Sequence, residues 1–128
     1  MIVLDACVVI AHLESTDVHH RRATELLMAT ADQQLAVSVI TMAEILVGPA
    51  RAGQLERVRG ALQQLDLVTV PFSDDAPARL ATLRATSGLR LPDCCVLLAA
   101  ETAQGAVGTF DARLAKAADD RGLTVLQG

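Results

Sequence analysis

Short apolar runs alternate along this chain with longer stretches in which apolar positions recur every three or four residues. Residues 3–5 follow Met1 and Ile2 as an apolar run that ends on a charge, Asp5. Similar runs return at 35–39, 67–70, 107–109 and 124–126, and each reads as a strand. Helical patterns fill the intervals at 6–14, 20–31, 41–47, 54–65, 74–86, 93–103 and 112–121. Ala23, Leu26, Leu27 and Thr30 share one face of the second helix. Ala76, Leu80 and Leu83 share one face of the fifth. Gly48-Pro49 predicts a stop for the third helix, and Gly88 and Gly122 predict stops for the fifth and seventh. Pro92 is expected as the first residue of the sixth helix, where its missing N–H costs nothing. That helix is almost wholly apolar and is expected to be buried. Strands alternating with helices predict an α/β sandwich with a mostly parallel sheet. No linker, repeat or low-complexity tract divides the chain, so 1–128 reads as a single domain.

Composition narrows the class. At 52% hydrophobic, 128 residues suffice to bury a core, although only Phe72 and Phe110 are aromatic. No apolar run approaches the roughly 18 residues of a membrane span. The first residues lack a basic flank and a cleavage site, so a signal peptide is not expected and the cytoplasm is. Cys7, Cys94 and Cys95 are odd in number and lack C-x-x-C spacing. They read as small buried hydrophobes rather than as a disulfide framework or zinc site.

Four acids change the picture. Asp5, Glu44, Asp93 and Asp111 each stand where a strand should end or a helix begin. Parallel sheets gather such points along one edge, where ligands bind. Four carboxylates repel one another at close range, and a hard divalent cation resolves the repulsion. One or two such ions would equip the site for in-line phosphodiester displacement. Plainer roles compete for each acid. Thr41-x-x-Glu44 fits a capping box, Asp111 fits an N-cap, and Asp93 suits the positive end of a helix. Asp5, between Ile2-Val3-Leu4 and Ala6-Cys7-Val8-Val9-Ile10, is costly to bury without a purpose. Capping, however, demands no common location, whereas these four belong to elements that should converge.

The net charge of −4 is unlike the basic footprint of most nucleic-acid binders. The four acids alone account for it, and the rest of the chain is formally neutral. Ten of the eleven basic residues are arginine, a side chain suited to bidentate phosphate contacts. The run His19-His20-Arg21-Arg22 reads as a solvated helix start within reach of phosphate. With two aromatics, base-stacking platforms are not expected, and RNA recognition would lean on shape and backbone.

The ordered segments Met1-Ile2-Val3-Leu4-Asp5-Ala6, Thr41-Met42-Ala43-Glu44-Ile45, Leu91-Pro92-Asp93 and Thr109-Phe110-Asp111-Ala112-Arg113-Leu114 resemble a PIN domain over the whole chain. Their length and order are similar to the toxins of VapBC toxin–antitoxin pairs. The resemblance implies a three-layer α/β/α fold and a Mg²⁺- or Mn²⁺-dependent endoribonuclease acting on structured RNA, chiefly transfer or ribosomal RNA. It implies a homodimer and an antitoxin partner that blocks the active-site groove. The family's acidic quartet falls on Asp5, Glu44, Asp93 and Asp111, as catalytic and metal-binding residues. Thr109 falls on a supporting polar position. Where the family usually carries Ser or Thr, this chain has Cys7, a weaker hydrogen-bond donor. Arg90 and Arg113, beside the site motifs, are candidate RNA-phosphate contacts.

Two other readings use the same residues. One is a module of this fold that grips RNA or antitoxin without cutting. The other is a phosphoaspartate receiver or haloacid-dehalogenase-like phosphatase. The phosphatase wants a second Asp where Cys7 stands. The receiver wants a lysine after a strand, and Lys116, the only lysine, falls inside a predicted helix.

Overall fold

In a computed structural model, which describes residues 1–127, five strands and seven helices alternate. The strands are β1 (Ile2–Leu4), β2 (Leu35–Ser38), β3 (Val68–Val70), β4 (Ala106–Gly108) and β5 (Val125–Leu126). They form one sheet in the order β3-β2-β1-β4-β5, and all four pairings are parallel. The helices are α1 (Ala6–Leu13), α2 (His20–Ala29), α3 (Val39–Arg51), α4 (Leu55–Gln64), α5 (Ala76–Ser87), α6 (Leu91–Ala103) and α7 (Ala112–Asp120). No helix among the described residues is long and apolar enough to cross a membrane.

Strand alternation sorts the core into two layers. Ile2, Leu4, Leu35 and Val37 face one side, with Val8 and Val9 of α1, Leu26 of α2, Ile45 of α3 and Leu62 of α4. Val3, Ala36 and Val107 face the other, with Leu83 of α5, six residues of α6 and Leu114 of α7. Helices therefore cover both faces, giving the three-layer α/β/α sandwich. The strands are short, and β1 and β2 at the centre are buried on both sides, which is why they read as apolar runs. The chain builds outward from β1 to β3 under α1–α4. It then crosses back to β4 and β5 under α5–α7. The crevice at the carboxyl ends of β1 and β4 lies at this reversal of strand order, where ligands bind in such sheets.

The expected limits of two helices were wrong. The helix expected at 41–47 starts two residues earlier and runs through Gly48-Pro49 to Arg51. Val39 and Ile40 are β-branched and read as strand, but Ser38 caps the helix ahead of them. Its hydroxyl accepts the Thr41 N–H at 3.0 Å. Pro49 sits in the last turn, where only one helical hydrogen bond is lost. Carbonyls of the closing turn find donors just beyond it, Gly48 from Ala52 N–H and Pro49 from Gln54 N–H. In the sixth helix Leu91 is the first residue and Pro92 the second, still within the turn whose N–H groups lack helical partners. Gly88 ends α5 in the left-handed region at φ 72°, as its place in the sequence suggested.

At the amino edge of the sheet, opposite the crevice, the β1–β4 pairing depends on a close backbone approach at Gly105. A Cβ there would lie 2.5 Å from the Met1 carbonyl oxygen, a backbone atom that cannot rotate aside. Gly105→Ala is expected to cost about 1–3 kcal/mol, read as a lower urea midpoint at unchanged slope.

Candidate active site at the carboxyl edge of the sheet

Asp5 follows β1 directly and is only 9% exposed. It stands at the N-cap position of α1 yet makes no capping bond with its side chain. Its Oδ2 instead accepts the Thr109 hydroxyl at 2.8 Å and the Cys7 thiol at 3.2 Å. The Thr109 hydroxyl in turn accepts the Asp111 N–H at 3.0 Å. Thr109 is fully buried just past β4, so one side chain ties the end of β1 to the start of α7. Because a buried charge without partners is costly, these two donors let Asp5 stay where sheet topology puts it. Cys7, expected to weaken the support of Asp5, supplies one of its two hydrogen bonds. Burial, then the Asp5 charge, push the Cys7 thiol up to about 12, so it remains a protonated donor at neutral pH.

Glu44 is in the second turn of α3. The capping-box role does not apply to it, since Ser38 rather than Thr41 caps the helix. Its carboxyl is pushed above the usual range by burial, then by the charges of Asp5 and Asp93, while Arg90 pulls it back. Asp93 is the third residue of α6 and is also pushed up, by burial first and then by Asp5. Arg90 pulls it down, Asp111 raises it, and Arg113 lowers it. The capping role does hold for Asp111, whose Oδ1 accepts the Leu114 N–H at 2.9 Å. One of its oxygens is spent on α7 and the other is free of that duty.

The four acids thus share one electrostatic field, with Asp93 feeling Asp5 and Asp111 and Glu44 feeling Asp5 and Asp93. No three His, Cys, Asp or Glu side chains among the described residues draw together into a metal cage. Like charges that feel one another raise the cost of ionising each carboxyl. Carboxylate oxygens are hard donors, and a set of them sharing one field suits a hard divalent cation by chemistry. Arg90 Nε lies 3.9 Å from Asp93 Oδ2. Arg90 and Arg113 line a groove of about 200 Å³ together with Leu89, Asp93 and Asp111. Ser38 was not singled out in the sequence. Its signal was a serine three residues ahead of a threonine, masked by the intervening Val39-Ile40.

The PIN domain family model matches residues 2–120. No curated protein matches the chain. Among solved structures, a toxin–antitoxin complex from Klebsiella pneumoniae is similar at 30% identity over 87% of each chain, with a TM-score of 0.72. FitAcB from Neisseria gonorrhoeae is similar at 23% identity, covering 99% of this chain and 97% of its own, with a TM-score of 0.75. VapBC2 from Rickettsia felis, bound to a DNA fragment from its promoter, is similar at 18% identity over 98% of each chain, with a TM-score of 0.69. The latter two likenesses bear on the fold alone.

The raised carboxyls of Glu44 and Asp93 set a pH dependence. The folded chain binds more protons than the unfolded one between the ordinary and the raised values. Stability of the metal-free protein therefore falls as pH climbs through that window. Asp93→Asn removes one of the mutually repelling charges. In EDTA at pH 7 it is expected to raise the melting temperature by about 2–5 °C, with the gain vanishing near pH 4. A circular-dichroism melt that drops at pH 7 would mean that Arg90 and Arg113 outweigh the repulsion.

Proposed function

This chain belongs to the PIN-domain family, and from that premise we propose that it is a metal-dependent endoribonuclease toxin of a type II toxin–antitoxin system. Nuclease chemistry is general to that family. The observation that carries the reading is the convergence of Asp5, Glu44, Asp93 and Asp111 in one field at the carboxyl edge of the sheet. We read residues 1–128 as one such domain working in the cytoplasm.

Asp5, Glu44 and Asp93 would hold Mg²⁺ or Mn²⁺, with Asp111 nearby. When bound, the ion supplies positive charge to the scissile phosphate and acidifies water. Thr109 and Cys7 both bond Oδ2 of Asp5, which leaves Oδ1 as the oxygen to present. Asp111, with one oxygen tied to Leu114 N–H, offers the other to orient the attacking water and take its proton. The water oxygen forms a bond to phosphorus as the bond to the 3′ oxygen breaks. The products then carry a 5′-phosphate and a 3′-hydroxyl. Arg90 and Arg113, which line a groove with Asp93 and Asp111, would neutralise the flanking phosphate.

The substrate in this reading is structured RNA, transfer or ribosomal, whose cleavage inhibits translation. The Klebsiella pneumoniae relative belongs to a toxin–antitoxin complex, which supports a cognate antitoxin as partner; we read that antitoxin as VapB-like and the working form as a homodimer.

Purified antitoxin-free protein is expected to cut total cellular RNA into discrete fragments with Mg²⁺ or Mn²⁺ and to be silent in EDTA. Asp5→Asn, Glu44→Gln and Asp93→Asn should each lose at least about a hundredfold in rate. Added Mn²⁺ should also raise the melting temperature of the parent but not of Asp5→Asn. Cleavage that persists in EDTA would overturn the mechanism. A folded protein that binds metal and cuts no RNA would favour the non-cleaving module.

A further inference from the structure

Outside the carboxylate centre, three side chains from two distant segments stack together. The Arg22 guanidinium carbon lies 4.5 Å from the centroid of the Phe110 ring. The His19 ring lies 5.3 Å from the same ring, tilted by 42°. Phe110 stands between Thr109, which bonds Asp5, and Asp111. The trio therefore adjoins the acidic centre rather than lying elsewhere on the surface.

The segment that carries Arg22 is held in place. His20 Nδ1 is 2.8 Å from the Ala11 carbonyl oxygen, and His12 Nδ1 is 3.0 Å from the Thr24 hydroxyl. Asp17 accepts the His19 backbone N–H at 2.8 Å. These bonds clamp the start of α2 onto α1. Against that frame the Phe110 ring fixes the guanidinium by its face. A cation–π contact uses the face alone, and the five N–H donors lie around the edge. Arg22 forms no ion pair among the described residues, whereas its neighbour Arg21 is paired with Glu25. An oriented fork without an anion is a phosphate receptor by its chemistry.

Its position adds a second argument. Phe110 packs with the core layer under α1 and α2, while Leu89 and Leu114, beside Arg90 and Arg113, belong to the opposite layer. Basic groups thus flank the acids on both sides. A polyanion crossing four carboxylates is repelled at the centre and needs cations before and after it. We propose that Arg22, held by Phe110 and flanked by His19, binds a backbone phosphate of the RNA strand on the flank opposite Arg90 and Arg113. This rests on the ribonuclease reading. It makes α2 part of the substrate path and gives the helix-start run His19-His20-Arg21-Arg22 a specific role.

The test is fluorescence anisotropy with 3′-fluorescein-labelled total transfer RNA and the intact chain. Calcium replaces magnesium, and a gel verifies that the RNA stays uncut. Arg22→Gln is expected to bind about tenfold more weakly and to lower the salt slope by about one. Arg51→Gln, an equal loss of charge from an exposed position at the end of α3, should stay within about twofold. Phe110→Leu should weaken binding and leave the salt slope unchanged, since the charge remains. Crosslinking of the parent protein to 4-thiouridine-bearing transfer RNA needs no variant. Peptide mass mapping should place the adduct on the segment around Arg22 or on Phe110. Arg22→Gln behaving like Arg51→Gln, with adducts elsewhere, would overturn the inference and leave the nuclease reading standing. RNA binding unchanged but antitoxin binding lost in Arg22→Gln would overturn it in favour of a protein interface. A parent protein that binds no RNA at all would remove this inference together with the reading beneath it.

Discussion

A carboxylate buried at the end of the central strand has to be satisfied where it stands, and the arrangement around Asp5 follows from that demand. Sheet topology places Asp5 at the end of β1, among residues that are themselves fully buried. Two donors reach its Oδ2, one from the next turn of chain and one from the far side of the reversal in strand order. Thr109 does double duty, since its hydroxyl also receives the Asp111 N–H. The parallel β1–β4 pairing, which brings Leu4 opposite Gly108, is what carries Thr109 to that place. Packing of the sheet and chemistry of the site are thus coupled through one hydroxyl.

The remaining acids are arranged with less satisfaction. Glu44 and Asp93 carry raised carboxyls because burial and like charges both disfavour ionisation. A fold selected for stability alone would not keep two such groups in the field of further carboxylates. Some of the tension is offset locally. Asp93 lies in the first turn of α6, where the helix dipole favours negative charge, and Asp111 caps α7. The plain capping role and the catalytic role are compatible for Asp111, because the cap uses one oxygen of two. For Glu44 they are alternatives, and Ser38 takes the capping task.

Cys7 shows how a weaker donor can serve. A thiol is larger and softer than a hydroxyl and makes a longer bond. At 3.2 Å from Asp5 Oδ2 it still points its proton at the carboxylate. Its raised pKa keeps that proton in place. The stronger bond comes from Thr109, so the pair divides the work unequally.

The alternation of apolar runs and helical stripes was enough to determine the layers, the parallel sheet and the place of Asp5, Asp93 and Asp111 near element ends, whereas Glu44 falls in the second turn of α3 because that helix begins two residues earlier than its pattern suggested. Those properties are local: a period of two or of three to four is written in neighbouring residues. Helix limits were less legible, because Val39-Ile40 carries strand propensity that the Ser38 cap overrides, and because Pro49 is tolerated where the last turn has little to lose. What only tertiary structure decided lies between segments far apart in the chain. The bond from Thr109 to Asp5 spans 104 residues of chain, and the stacking of Arg22 on Phe110 spans about ninety. No sequence period encodes which side chains meet across such distances. Sheet order sets it by bringing the ends of β1 and β4 side by side, and the packing of α2 on α1 does the rest.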